Sequence, residues 1–553
     1  MISIKNLIEK LVIGGVIGVT LIILPHLVYY PFITSKFIVL IFMASFLLSA
    51  FIFQWKYIYT KNLRAPVILL ISFIFWMSVS LAQSDVYITD GLLGLNNRNE
   101  GLISYLALTI FMLAAIMVSS NKFNDLLVRI ILSVGLISIV YATIQNFGFD
   151  FFTYLNRYNN VITFFGNPNF QSSFMGICSV VALTYSLNSK LKIYYRILLN
   201  FFVVFSLLII YMTDSVQGFL VFLSGAFIGL ATWIYRSQAL NRFFILFCLL
   251  GALGITAVIL DILQITFWKS VFFQSSVSYR GDYWRTAWKM TSDNPIFGVG
   301  ITGFRDNQRF YRDEVSLTRG EYNQVLESAH NRFLDLASSG GIPLLLLYVL
   351  VNLFVIFSAL KVLKREKHFN PPFVSIVACW VAYSAQTLIS VFSFSLDLIG
   401  WICAGLIVGY EVSTRSIPAL PKYDKKISIR AIGIFLIITQ TLFINSYLGS
   451  ELKFKSAIEQ GEVNNITEKL QSWPKRNDRY YIVTQLFEKG GFPDRALEIA
   501  KEATTYWPNN YEAWQLVYFA TAATAEDKQI AVKKMLELDP LNNNLSELKN
   551  STP

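Results

Sequence analysis

Apolar stretches of about twenty residues recur along the chain, separated by short polar breaks, until a long polar interval opens near Gln264 and closes at Gly341. Roughly twenty apolar residues in an α-helix cross the hydrocarbon of a bilayer. The pattern therefore predicts about thirteen spans, near 11–33, 37–54, 65–83, 101–119, 126–147, 168–187, 194–212, 215–234, 242–262, 342–360, 372–392, 395–412 and 427–446. The fold class expected is all-α, a polytopic membrane helix bundle with one large loop, 263–341, and a polar tail. The first run, Leu11 to Ile33, exceeds a signal-peptide core and lacks a small-residue cleavage site, so it reads as a retained span.

Lysine and arginine concentrate in alternate breaks, as the positive-inside bias requires. One set holds Lys56, Lys61 and Arg64; Lys122; Lys190, Lys192 and Arg196; Arg236 and Arg242; Lys361 to Lys367; and Arg415 to Lys426. These breaks are expected on the cytoplasmic side together with the N-terminus. The turn at Lys36, residues 84–100 and 148–166, the turn at Asp214, the long loop and everything after about Ser446 are then expected outside.

Composition agrees with a bilayer as the main solvent: 54% of residues are hydrophobic and 15% aromatic. The net charge of +11 is accounted for by loop lysines and arginines, which argues against nucleic acid as a partner. Cys178, Cys248, Cys379 and Cys403 all fall in apolar segments, so they read as small apolar residues and not as a disulfide framework or metal site.

From about Gly449 to Pro553 the sequence becomes ordinarily amphipathic, and a domain boundary is expected there: 1–448 for the membrane part, 449–553 for the tail. Trp473-Pro474, Trp507-Pro508 and Asp539-Pro540 are spaced by 34 and 32 residues. That period resembles tetratricopeptide repeats, in which proline ends each helix pair; a generic helical cap is the other reading. The tail is expected to recruit the acceptor or a partner protein and to supply no catalytic group.

The long loop contains seven arginines, Arg280, Arg285, Arg305, Arg309, Arg312, Arg319 and Arg332, and one of three histidines, His330. Ser328 can cap a helix through Phe333, Leu334, Leu336 and Ala337 that Gly340-Gly341 then stops, which places His330 at a helix start. Histidine exchanges its proton near neutrality and suits a general base; a structural histidine bonded to a loop carbonyl is the alternative. His26 is expected inside a span and His368 among cytoplasmic lysines. Upstream, Tyr279 to Met290 reads as a helix carrying Arg280, Arg285, Tyr283, Trp284 and Trp288, a set able to hold pyrophosphate oxygens and sugar faces, or simply an interfacial aromatic belt. No DxD triplet, Walker loop or HExxH is present, so no metal site and no cofactor is expected.

SYRGDYWRTAWKMTSDNPIFGVGITGF (Ser278 to Phe304), SAHNRFLDLASSGGIPLLLLYV (Ser328 to Val349), FFGNPNFQSSFM (Phe164 to Met175) and GLNNRNEGL (Gly94 to Leu102) together resemble the O-antigen ligase and polymerase family, membrane glycosyltransferases of the GT-C type. The resemblance covers residues 90–410. It implies transfer of a glycan from an undecaprenyl-pyrophosphate carrier to a hydroxyl acceptor (lipid, protein or growing glycan) on the outer face, without metal or nucleotide sugar. By position His330 matches the family's loop histidine and Arg280 its loop arginine, the two catalytic candidates. Arg98, Gln217, Arg285, Trp284, Asn331, Asn167 and Asn169 are the candidate substrate-binding residues. Gln217 stands where many members carry a second arginine, and it adds no charge. Within the resemblance, ligase, polymerase and protein oligosaccharyltransferase stay open. From another class, a flippase of lipid-linked sugars is the rival, and charge-poor spans speak against it.

Overall fold

The computed structural model describes residues 4–58, 63–152, 159, 161–262, 275–317, 325–413 and 426–542. Every predicted span carries a helix. In order they are α1 (Ile4–Leu21), α2 (Pro31–Ile58), α3 (Arg64–Ala82), the short α4 (Ile88–Leu93), α5 (Leu102–Val118), α6 (Asn121–Asn146), α7 (Pro168–Ser186), α8 (Ile193–Met212), α9 (Gln217–Arg236) and α10 (Phe244–Ile262). The long loop contributes α11 (Ser275–Asp293), α12 (Phe304–Tyr311) and α13 (Glu314–Leu317), and α14 (Arg332–Arg365), α15 (Pro371–Thr387), α16 (Phe394–Ser413) and α17 (Lys426–Gln460) follow. Among the described residues, eight helices are long and apolar enough to cross a membrane by length and composition. The described residues contain no strand.

α16 is the hub, buried along its length against α5, α1, α14 and α15. In lipid, close approach of helices depends on small residues. Gly405 and Gly409 supply it here: a Cβ on either would stand 2.3 Å from a carbonyl oxygen of α5. α8 and α10 instead expose apolar side chains such as Phe201, Phe205, Leu249 and Leu253, as helices facing acyl chains do.

The first two helices correct the sequence reading. α1 ends at Leu21 rather than near Ile33, and residues 22–30 form a polar-backbone turn in which His26 adopts φ 59°. Pro31 opens α2 at its first position, the place where a missing N–H costs nothing. Lys36, expected in an outer turn, is buried in α2. Its ammonium donates to the carbonyls of Val19 (2.7 Å) and Thr20 (3.0 Å) and to Ser395 Oγ (3.1 Å), closing the exposed end of α1.

Beyond the bundle, α17 runs unbroken through the expected boundary at 449. It is followed by α18 (Val463–Leu470), α19 (Asn477–Lys489), α20 (Pro493–Tyr506), α21 (Tyr511–Phe519) and α22 (Ala525–Leu538). α19 packs on α20 around Tyr480, Phe487, Ile499 and Trp507, and α21 on α22 around Tyr511, Val532 and Met535. Pro474, Pro508 and Pro540 fall just after α18, α20 and α22.

Candidate active site

Two loop motifs are locked into one unit. Val299 N donates to Ser338 O (2.7 Å), Gly300 N to Ser339 O (3.1 Å) and Ile342 N to Pro295 O (2.8 Å), joining NPIFGVG to SSGG backbone to backbone. Gly298 and Gly341 make this possible. Both have positive φ (66° and 72°), and a Cβ on either would lie 2.3 Å from a carbonyl oxygen of the other segment. Ser80 Oγ and Trp76 Nε1 on α3 bind the same strap through the carbonyls of Phe297, Ser339 and Gly340. The chain breaks its helical course at Gly341, as the glycine pair predicts, so α14 comprises a short helix and a long one. The strap thereby fixes α11, which carries Arg280, against the start of α14, which follows His330.

The cap of α14 is Asn331, not Ser328. Its side-chain oxygen accepts from Phe333 N (3.0 Å) and Leu334 N (3.3 Å), and its amide donates to Leu388 O (3.1 Å). This substrate-binding candidate is thus engaged in shaping the turn. Ser328 instead accepts from His330 N (3.0 Å) and donates to Asp335 (3.0 Å), whose other oxygen takes the Ala329 N–H at 2.6 Å. The outcome is a tight turn that holds His330 at φ 55°, a left-handed conformation costing a side-chain-bearing residue roughly 1–3 kcal/mol.

His330 is half-buried and its ring packs 5.4 Å from that of Tyr283. Its Nδ1 lies 3.3 Å from the Ser328 carbonyl, an oxygen that can only accept. In the neutral ring Nδ1 therefore carries the hydrogen, and Nε2 presents a lone pair. Burial, then the charges of Arg98 and Arg280, push the His330 pKa down to about 4, with the Ser328 carbonyl and Glu327 opposing. At neutral pH the ring is a free base.

The seven loop arginines part company. Arg285 pairs with Asp282 and Asp313, both at 2.6 Å. Arg309 and Arg312 bind Glu512 and Asp539 of the tail. Arg332 binds Asp397 (3.1 Å) and the Tyr105 hydroxyl (2.6 Å), fastening α14 to α16 and α5. Arg305 lies buried in the field of Glu512, Glu327 and Asp306. Arg319 falls outside the described residues. Arg280 has no acidic partner among the described residues, and burial draws its pKa below the ordinary value, with Tyr283 opposing. It shares a face of α11 with Tyr283, Ala287 and Met290. Trp284 and Trp288 are exposed, Trp284 one turn on from Arg280 at the edge of that face, while Arg285 lies on the far side of the helix.

Arg98, on the 94–100 turn, bears on the histidine through its charge. Its Nε donates to Glu327 at 3.2 Å, and the neighbouring Asn97 amide donates to the other oxygen of the same carboxylate at 2.7 Å. Burial opposes ionisation of Glu327, but Arg98 and Arg305 hold it below the usual carboxylate range. Arg98 also lines a cavity of about 600 Å³ that opens between the 22–30 turn, the start of α7 and α17. Phe32, Phe165, Phe170 and Phe392 form apolar walls, and Asn97, Asn167, His26 and Lys455 add polar groups. His26 is thus in a cavity wall and not inside a span. Asn167 also caps α7 by accepting from Asn169 N, while exposed Asn169 accepts from Ser215 Oγ (2.7 Å). Gln217 is buried and donates to Ser173 Oγ (2.8 Å).

Glu327, Asn97 and Lys455 were missed as site residues in the sequence. Glu327 was legible as a carboxylate three residues before the histidine; the other two had no signal of their own.

Fold and site define a polytopic helical membrane protein with a histidine held neutral by burial and by the field of two guanidinium groups. Residues 201–349, from α8 into the second part of α14, match the family model described as O-antigen ligase. The match covers His330, Arg280 and Gln217 but not Arg98. It supports a membrane glycan-transferring ligase or polymerase that uses a lipid-linked glycan donor. No curated protein matches the chain.

Proposed function

We propose that the protein transfers a glycan from undecaprenyl pyrophosphate to a hydroxyl acceptor at the outer face of the cytoplasmic membrane. One observation carries the reading: His330, a free base at neutral pH, lies in the field of Arg98, Arg280 and Glu327, and Arg280 has no acidic partner among the described residues. Two cations beside a free base match a substrate that brings an anion and a proton to one place.

His330 Nε2 takes the acceptor hydroxyl proton as that oxygen attacks the anomeric carbon. The bond from this carbon to the pyrophosphate oxygen breaks, and its electron pair leaves with the carrier. Arg280 and Arg98 hold the charge that develops there, with guanidinium planes suited to paired phosphate oxygens. The cavity beyond Arg98, with aromatic walls and amide groups, has the chemistry to seat sugar rings. Gln217 adds no charge, and in this reading Arg98 takes the part of the second family arginine.

The test is transfer by the purified, nanodisc-embedded protein from a defined polyprenyl-pyrophosphate oligosaccharide to candidate lipid, peptide and glycan acceptors. Product formation that disappears in His330→Ala supports the reading. Full activity in that variant would remove His330 from the chemistry, and the acceptor consumed separates ligase from polymerase.

A further inference from the structure

We propose that the helical tail positions the transfer site: Asp478 and Arg476 fix the 94–98 turn, and that turn sets Arg98 and Glu327 against His330. The proposal rests on the reading of His330 as the base, and it gives the tail a role beyond recruitment.

Three consecutive residues form the link. Asn96 donates to Asp478 Oδ2 at 3.1 Å, Asn97 donates to Glu327 Oε1 at 2.7 Å, and Arg98 donates to Glu327 Oε2 at 3.2 Å. Glu327 in turn lies three residues before His330. One turn is therefore gripped by the tail on one side and grips the catalytic loop on the other. The grip extends along the whole segment. Thr89 Oγ1 donates to Lys475 O (3.2 Å), Trp507 Nε1 donates to Asp90 (2.6 Å), and Asn99 donates to the Tyr447 hydroxyl (3.0 Å). Arg476, almost fully buried, donates to the Gly94 carbonyl and stands 3.9 Å from Asp90.

Leverage requires that the tail itself be rigid against the membrane. Arg479 supplies this, donating to Glu451 (2.7 Å) and Ser450 Oγ (2.8 Å) of α17 from a site with 1% exposure. A guanidinium that deep is stable only with its partners in place, so α19 and α17 behave as one body. Within 94–100, backbone hydrogen bonds are few, the inward ones ending at Asp90 and Leu95. The turn's geometry is accordingly set by what it touches, and on its outward side that is Asp478 and Arg476. Tyr30, which lines the same cavity as Arg98, also lies in the field of Asp478, so a single carboxylate faces two of its walls.

His330 is faced by Arg98, Arg280 and Glu327, by the Tyr283 ring and by the Ser328 carbonyl. Loosening the 94–98 turn admits water and withdraws Arg98. Both changes raise the histidine's affinity for protons. A tail that merely stabilised the fold would lower the amount of active protein without altering that affinity.

The experiment titrates ¹⁵N-histidine-labelled full-length protein in nanodiscs by NMR and measures transfer on the same samples. Three histidines make the spectrum tractable, and His330→Gln identifies the His330 signal. Asp478→Ala is expected to move the His330 midpoint upward by about one pH unit or more and to lower kcat/KM about 100-fold, the scale of a small misplacement of catalytic groups. Asp478→Asn, which keeps an acceptor oxygen for Asn96, recovers most of both. Asn96→Ala removes the same bond from the opposite side and reproduces the shift. A loss of rate with the midpoint unmoved in both alanine variants overturns the proposal. A moved midpoint in a protein that transfers no glycan supports the positioning and removes the glycosyl-transfer reading instead.

Discussion

Arg312 Nη2 donates to both carboxylate oxygens of Asp539 at 2.7 Å, joining the long loop to the end of α22 across a fully buried contact. Arg309 adds a second cation at 3.5 Å from the same carboxylate and lies over the Tyr511 ring at 4.3 Å. Asp539→Ala leaves two buried guanidiniums short of a counter-charge. Breaking such a pair from one side costs roughly 3–5 kcal/mol. Thermal unfolding in nanodiscs should show a clear drop, and limited proteolysis should release the tail; an unchanged melting profile would mean the pair carries no net stability.

Deletion of residues 461–553 should abolish transfer to a small soluble acceptor and to water alike, in contrast to the residual reaction expected if the tail only recruited an acceptor. The reason is the embrace of residues 89–99 by this segment. Residual hydrolysis by a correctly inserted truncated protein would restore the recruitment-only role.

The catalytic variants separate two jobs. His330→Ala should lower kcat by roughly two to four orders of magnitude, the usual worth of a general base. Arg280→Lys keeps a charge but loses the planar fork, so it should raise the KM for donor and lower kcat, with kcat/KM down at least about tenfold. Arg285→Lys, on the far side of α11 and paired with Asp282 and Asp313, should stay within about twofold of wild type. Equal losses at Arg280 and Arg285 would refute the division of arginines drawn here.

Acid dependence follows from the burial and cationic surroundings of His330, whose pKa stands at about 4 instead of 6.5. The free enzyme should keep its kcat/KM, as far as this group is concerned, down to about pH 5 and lose it through pH 4. A bound pyrophosphate offsets Arg98 and Arg280 and raises the pKa, so the acid limb of kcat should lie at higher pH than that of kcat/KM. Arg98→Gln should move the kcat/KM limb upward. On the stability side the unfolded chain binds the extra proton between pH 6.5 and 4, so this group makes folding less favourable as pH falls through that window. A kcat/KM limb at or above pH 6.5 would contradict the assignment.

Topology is testable by labelling single cysteines with an impermeant thiol reagent in intact cells or spheroplasts. Cysteine at Ser292 and at Thr521, both exposed, should react from outside, and cysteine at His368 only after lysis. The opposite result would invert the protein in the membrane.

The positions and order of the apolar helices, the break at Gly341 and the loop that holds His330 and Arg280 were legible along the chain. Each of these is local: twenty apolar residues need a helix to satisfy their backbone in lipid, and a glycine pair before Pro343 breaks one. Two prolines, Pro25 and Pro31, also marked the early end of α1, but hydropathy outweighed them because the intervening residues are apolar. Tertiary structure alone decided the rest. Lys36 reads as a turn residue in one dimension; it is buried because the end of α1 leaves carbonyls that an ammonium from α2 can reach. Seven arginines in one loop read as one anion site, yet Asp313, Asp397, Glu512 and Asp539 claim several of them from far along the chain, and sequence carries no record of which carboxylate lies where. Arg98 and Glu327, 229 positions apart, pair because the 94–100 turn and the loop before His330 fold against each other. Charge pairing across such distances is fixed by packing, and only the folded chain contains it.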